Sequence, residues 1–178
     1  MEIKVFSEEA FVRFIADNKD ALSKMPDKFC VIRIGPDPYT GFLPTELDNI
    51  IFSEEFENQI ACFDFADIED DFFEANKEHF LEAEKRLDQR QSPITSEEVL
   101  RIKSFIERNK DKEMLLIHCH AGECRSWSVA FCIAKYILKD DTLAQELRRK
   151  TIRFSKTIER RFVDVIEGSQ NFMIQPSP

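Results

Sequence analysis

Within a single short run, His118-Cys119-His120-Ala121-Gly122-Glu123-Cys124-Arg125-Ser126, the chain gathers a sulfur nucleophile, a permanent cation, a glycine and a hydroxyl. If a strand enters this run and a helix leaves it, backbone N–H groups point inward and the helix dipole adds positive character, which together make an anion site. Gly122 lets the backbone turn tightly there. Arg125 offers a planar fork to phosphate oxygens. Cys119, at the base of such a cradle, is favoured as thiolate over thiol and becomes a nucleophile near neutral pH. Ser126 is placed to donate its hydroxyl hydrogen to the departing sulfur. His118 braces the loop, and His120, Ala121, Gly122, Glu123, Cys124 and Arg125 make the wall that would meet a substrate phosphate or a phosphate or sulfate ion.

The flanking residues supply the strand and the helix. Glu113 to His118 is a short continuous apolar stretch of the kind buried in a parallel sheet, and an apolar helix is predicted from Ser126 to about Leu138. Upstream, Ser7 before Glu8 and Glu9 starts a helix expected to run to about Met25, since a hydroxyl caps and acids suit the positive helix end. Lys28 to Ile34 reads as a strand closed by Gly35-Pro36-Asp37-Pro38, with an exposed loop to Leu47. Asn49 to Phe52 is a possible short strand and Gln59 to Phe65 a longer one. A mostly exposed helix is predicted from Glu69 to Leu87. Thr95 and Glu98 form a capping box that opens a helix ending near Lys110. Helices near Thr142 to Lys150 and Thr157 to Glu167 complete the chain. Alternating helices and buried strands predict an α/β three-layer sandwich, a mostly parallel sheet with helices on both faces, as one domain over residues 1–178. Ligands in such sheets sit at the carboxyl ends of the strands, where the 118–126 segment falls.

The run resembles the His-Cys-five residues-Arg-Ser/Thr signature of protein tyrosine and dual-specificity phosphatases. The resemblance implies a phosphoric monoester hydrolase working through a phosphocysteine on a phosphorylated protein or peptide. Cys119 is then the nucleophile, Arg125 the phosphate binder and Ser126 the aid to turnover. The order Phe65-Ala66-Asp67-Ile68, a helix, then Leu115 to Cys119 is similar to small bacterial tyrosine-phosphatase-like proteins, which carry Phe-Asp-Asp-Ile upstream of the signature. The family also uses an aspartic acid on a loop after a strand to protonate the leaving oxygen. Asp67 fits that position, Asp88 fits the spacing to Cys119 of small dual-specificity enzymes, and Asp64, Asp70 and Asp71 stand behind them. Two residues depart from the pattern: Glu123 puts an acid in an anion loop, where it must point outward or weaken binding, and Trp127 is bulky for its place.

The same residues admit plainer readings. Cys30, Cys62 and Cys132 read as small core residues. Cys124 either fills space under the loop or, in a spacing that resembles the paired cysteines of low-molecular-weight tyrosine phosphatases, forms a reversible disulfide with Cys119. His118, Cys119, His120 and Cys124 are metal-ligand types without the paired spacing of a zinc module, so no metal or other cofactor is expected. The basic run Arg148, Arg149, Lys150, Arg153, Lys156, Arg160 and Arg161 either meets an acidic substrate or is a solvated helix face.

Composition narrows the alternatives. A chain of 178 residues, 43% hydrophobic and 33% charged, can bury one substantial core. A net charge of −9 repels a nucleic-acid backbone. No apolar run is long enough for a bilayer span, and the N-terminus lacks the features of a secretory signal. Five cysteines without regular spacing fit a reducing compartment, and a cytoplasmic address follows. Two other functions compete: a phosphate-reading module that has lost turnover, and a rhodanese-like sulfurtransferase, which also sets a cysteine in an anion loop before a helix.

Overall fold

The computed structural model describes residues 1–24, 26–35, 58–87 and 90–168. Its sheet has four parallel strands, β1 (Glu2–Ser7), β2 (Phe29–Ile34), β3 (Ile60–Phe63) and β4 (Met114–Cys119), in the order β1-β4-β2-β3. Strands β2 and β4 lie in the middle. All six residues of β2, and five of the six in β4, are buried, as expected of strands covered on both faces.

Alternation along the strands splits the core into two layers. On one side Phe29, Val31 and Leu116 pack under Phe11, Ile15 and Leu22, which come from α1 (Glu8–Asp17) and α2 (Lys19–Ser23). On the other, Cys30, Ile32, Ile34, Leu115, Ile117 and Cys119 pack against the remaining large helices. Those include α5 (Ser96–Arg108), α6 (Arg125–Cys132), α7 (Asp141–Lys150) and α8 (Lys156–Phe162). The short α3 (Asp70–Ala75) and α4 (Lys77–Leu87) follow β3. The three-layer α/β sandwich is therefore the observed architecture. None of the described helices is long and apolar enough to cross a membrane.

Local chemistry accounts for the helix boundaries. Ser7 Oγ accepts the Ala10 N–H at 3.2 Å and opens α1. The capping box holds on both sides: Thr95 Oγ1 accepts from Glu98 N at 3.2 Å, and Glu98 Oε2 accepts from Thr95 N at 2.8 Å. The two long helices expected at 7–25 and 69–87 are each split in two, at Asn18 and at Asn76. The Asn18 side-chain amide donates to the Phe14 carbonyl at 2.7 Å and that of Asn76 to the Phe72 carbonyl at 2.9 Å, so each asparagine takes over a carbonyl four residues back and ends a helix. Both α6 and α8 run on into a widened turn, Ile133–Ile137 and Val163–Glu167 respectively.

Strand β1 was not expected. Only Ile3 of its six residues is buried, and its pairing is set entirely by β4, with Ser7 opposite Cys119. The strand expected at Asn49 to Phe52, most of the loop from Gly35 to Leu47, and Asp88 lie outside the described residues.

Candidate active site

The carboxyl end of β4 runs through Cys119 into the loop, and α6 begins at Arg125. The first backbone bond of that helix that touches the loop is Ser128 N–H to the Cys124 carbonyl, 2.8 Å. The amides ahead of it have no partner within the helix, and together with the dipole they turn positive character toward the loop. Cys119 sits at the base, 2% exposed, with its Sγ 3.2 Å from Oγ of the fully buried Ser126. Gly122 takes the left-handed conformation, φ +68°. The Trp127 indole N–H donates to the Gly122 carbonyl at 2.8 Å, so the bulk of that side chain serves to hold the turn.

Residues from outside the run fix the loop from two directions. On the β1 side, the parallel register carries Ser7 and Glu8 past Cys119. There the Glu8 N–H donates to the His120 carbonyl at 3.1 Å, and Glu8 Oε2 lies 3.0 Å from His120 Nδ1. On the β3 side, Arg125 Nη1 donates to the Phe65 carbonyl at 2.9 Å, tying the guanidinium to the segment after that strand. Neither contact has a local sequence signal, because both join residues far apart in the chain.

Asp67 stands two residues beyond that tether, exposed, and its carboxylate is near enough to the Cys124 thiol to oppose its ionisation. The structure thus brings Asp67 to the loop. Asp64 and Asp70 are engaged elsewhere. Asp64 Oδ2 accepts from Arg90 N at 3.3 Å, and burial raises its carboxyl above the ordinary range, against the pull of that bond and of the Arg90 and Arg125 charges. Asp70 is paired with both Arg160 and Arg161.

His118 is 2% exposed and stacks on Phe11, ring centroids 4.2 Å apart. Burial first, then the positive charge of Arg33, lowers its imidazole to about 3, so it is a neutral packing element between sheet and α1. His120, Ala121 and Glu123 are exposed. Cys124 is buried. Burial, then the neighbouring Asp67 carboxylate, pushes the thiol up to about 12. Cys30 and Cys132 are fully buried core residues as expected, whereas Cys62, on β3, is half-buried and not part of the core cluster.

No protein-family profile and no curated protein matches the chain. Solved structures do. A phosphatase, PTP-2 of Cydia pomonella, superposes with a TM-score of 0.50 at 14% identity over 94% of this chain and 85% of its own. Tk-PTP in its active form is similar at a TM-score of 0.44 and 17% identity, over 93% of this chain and 90% of its own. The fold assignment rests on the first: the chain has a tyrosine-phosphatase-like α/β fold.

Proposed function

We propose that the chain is a phosphoric monoester hydrolase acting through a phosphocysteine at Cys119 on phosphorylated protein or peptide, with phosphotyrosine as first substrate and phosphoserine or phosphothreonine as second. The observation that carries this reading is the buried Cys119 Sγ, 3.2 Å from Ser126 Oγ, in a glycine-turned loop at the start of α6. The phosphatase-like fold supports it over the sulfurtransferase alternative.

In the first step Sγ attacks phosphorus in line; the S–P bond forms as the P–O bond to the leaving group breaks. Loop amides and Arg125 hold the remaining oxygens, where charge must be stabilised through the transition state. Asp67 gives its proton to the leaving oxygen. In the second step Asp67 takes a proton from water, the water oxygen bonds to phosphorus, and the S–P bond breaks with its electron pair returning to sulfur. The Ser126 hydroxyl donates toward that sulfur. Support for Asp67 comes from its position near Cys124 and from the other engagements of Asp64 and Asp70.

The test is a panel of phosphotyrosine, phosphoserine and phosphothreonine peptides and phosphoinositides, with wild type, Cys119→Ser, Arg125→Lys and Asp67→Asn. Cys119→Ser should bind phosphopeptide without turnover, and Arg125→Lys should be severely impaired because an ammonium cannot reproduce the planar fork. Asp67→Asn should lose about 10²–10⁴-fold on poor leaving groups and less on good ones. Wild-type binding without turnover would replace the hydrolase with a phosphate-reading module. A crippled Asp88→Asn beside a near-normal Asp67→Asn would reassign the acid.

A further inference from the structure

The basic run between residues 148 and 161 is not a uniform charged face. Arg160 and Arg161 are held by Asp70, and Lys150 by Glu146 at 2.6 Å. Arg148 lies over the Phe154 ring, 4.2 Å from its centroid. Arg149, Arg153 and Lys156 are exposed and make no ion pair among the described residues, but Arg153 is also joined to the loop. Its own backbone N–H donates to the Glu123 carbonyl at 3.3 Å, so it is attached directly to the phosphate loop. Its charge reaches far enough to act on the Cys124 thiol inside that loop.

Beside it, Ile152 is 76% exposed, more than Phe72, Leu81 or Leu100, the other large apolar side chains open to solvent among the described residues. The turn that presents the pair is fixed at both ends. Thr151 Oγ1 donates to the Leu147 carbonyl at 2.8 Å, and the Ser155 N–H donates to the buried Ser128 Oγ of α6 at 2.9 Å. A cation and an apolar side chain are thus held open on a rigid turn bonded to the anion loop, in a protein whose net charge is −9. Preorganisation of this kind lowers the ordering cost of binding.

We infer that Ile152 and Arg153 form a specificity subsite at the lip of the phosphate loop, where Arg153 takes an anionic side chain flanking the phosphorylated residue of a peptide and Ile152 packs on its apolar neighbour. The inference rests on the proposal that the loop takes a phosphorylated residue. It names the substrate class: phosphopeptides with an acidic or second phosphorylated residue beside the target. An exposed isoleucine next to the cation suits a peptide better than a polyhydroxylated headgroup. Two acids share this edge, Asp67 and the exposed Glu123, and a dominant Glu123 would reverse the preference.

The experiment measures kcat/KM for wild type, Arg153→Met and Arg153→Glu on phosphotyrosine peptides that differ only in a flanking Asp, Ala, Lys or phosphoserine. Dissociation constants for the same peptides are measured on Cys119→Ser with and without the Arg153 changes. Wild type should favour Asp over Ala by about 2–5-fold, as a partly exposed charge pair allows. The ratio should fall to about one in Arg153→Met, invert in Arg153→Glu, and shrink with added salt. A larger preference for phosphoserine identifies a second phosphate as the favoured source of the anion; Asp favoured over phosphoserine identifies a carboxylate. Ile152→Ser should weaken all the peptides alike. Equal ratios in wild type and Arg153→Glu, a preference for Lys, or a soluble phosphoinositide headgroup outcompeting every peptide would overturn the subsite. Absence of wild-type turnover overturns the hydrolase instead, and the Cys119→Ser affinities then judge the subsite separately.

Discussion

Replacing Gly122 with alanine should damage both stability and turnover, for reasons that can be worked from the contacts. A Cβ at this position lies 2.4 Å from Ser7 N, 2.7 Å from Ser7 Cα and 2.8 Å from the Phe6 carbonyl carbon. All three are backbone atoms at the junction of β1 and α1, so no side-chain rotation relieves the overlap. Restoring ordinary carbon contact distances requires the loop and β1 to part by about 1 Å. The left-handed φ of +68° adds about 1–2 kcal/mol for a residue with a Cβ. Overpacking against fixed atoms costs a further 1–3 kcal/mol or so. The sum, roughly 2–5 kcal/mol, is a large part of the 5–15 kcal/mol that holds an ordinary domain together. A displacement of about 1 Å in the residues proposed to grip phosphate is also enough to cost about 10²-fold in rate. Denaturant midpoints followed by circular dichroism give the first quantity, and kcat/KM on an aryl phosphate, at a temperature where both proteins are folded, gives the second. Gly168→Ala, where an added Cβ meets nothing within 4 Å, is the control. A Gly122→Ala protein within about 0.5 kcal/mol of wild type, the range of an indifferent surface change, and equally active, would refute the close approach of loop and β1.

Two further outcomes follow from the buried groups beside the loop. His118 is held neutral in the fold, at about 3 against an ordinary 6.5, so between those values the unfolded chain binds a proton that the native one does not, and stability falls as pH falls through the window. For this one group the loss between about pH 7.5 and pH 5.5 is ~1.4 kcal/mol; urea titrations at both pH values should show His118→Asn less pH-sensitive by that amount, and equal slopes in the two proteins would remove the histidine from the account. For Cys124, a thiol at about 12 is a poor partner for an oxidised Cys119, because the attacking species is the thiolate. Mild peroxide followed by dithiothreitol should therefore return the same fraction of activity in wild type and Cys124→Ser, and a Cys119–Cys124 disulfide found by peptide mapping, with poorer recovery in the variant, would restore the protective reading.

What the sequence determined by itself is what short-range chemistry determines. The capping box of α5 lies within four residues and was readable as it stands, and so was the Ser7 cap of α1. The 118–126 run carries the proposed nucleophile, the turn and the cation in close succession, and the apolar stretches of β2 and β4 announce strands buried on both faces. The asparagine stops at Asn18 and Asn76 were legible in principle, since their side chains bond carbonyls only four residues back, but the apolar periodicity continuing past them outweighed that signal. Tertiary structure alone decided the rest. Strand β1 exists because β4 offers it an edge, and only that pairing puts Glu8 on His120 and Ser7 against Gly122. Which aspartate reaches the loop depends on the tether from Arg125 to Phe65, sixty residues apart in sequence. Which arginines of the basic run stay open depends on where Asp70 happens to lie. These are contacts between distant segments, and their partners are chosen by the packing of the sheet and helices, which no local pattern of residues encodes.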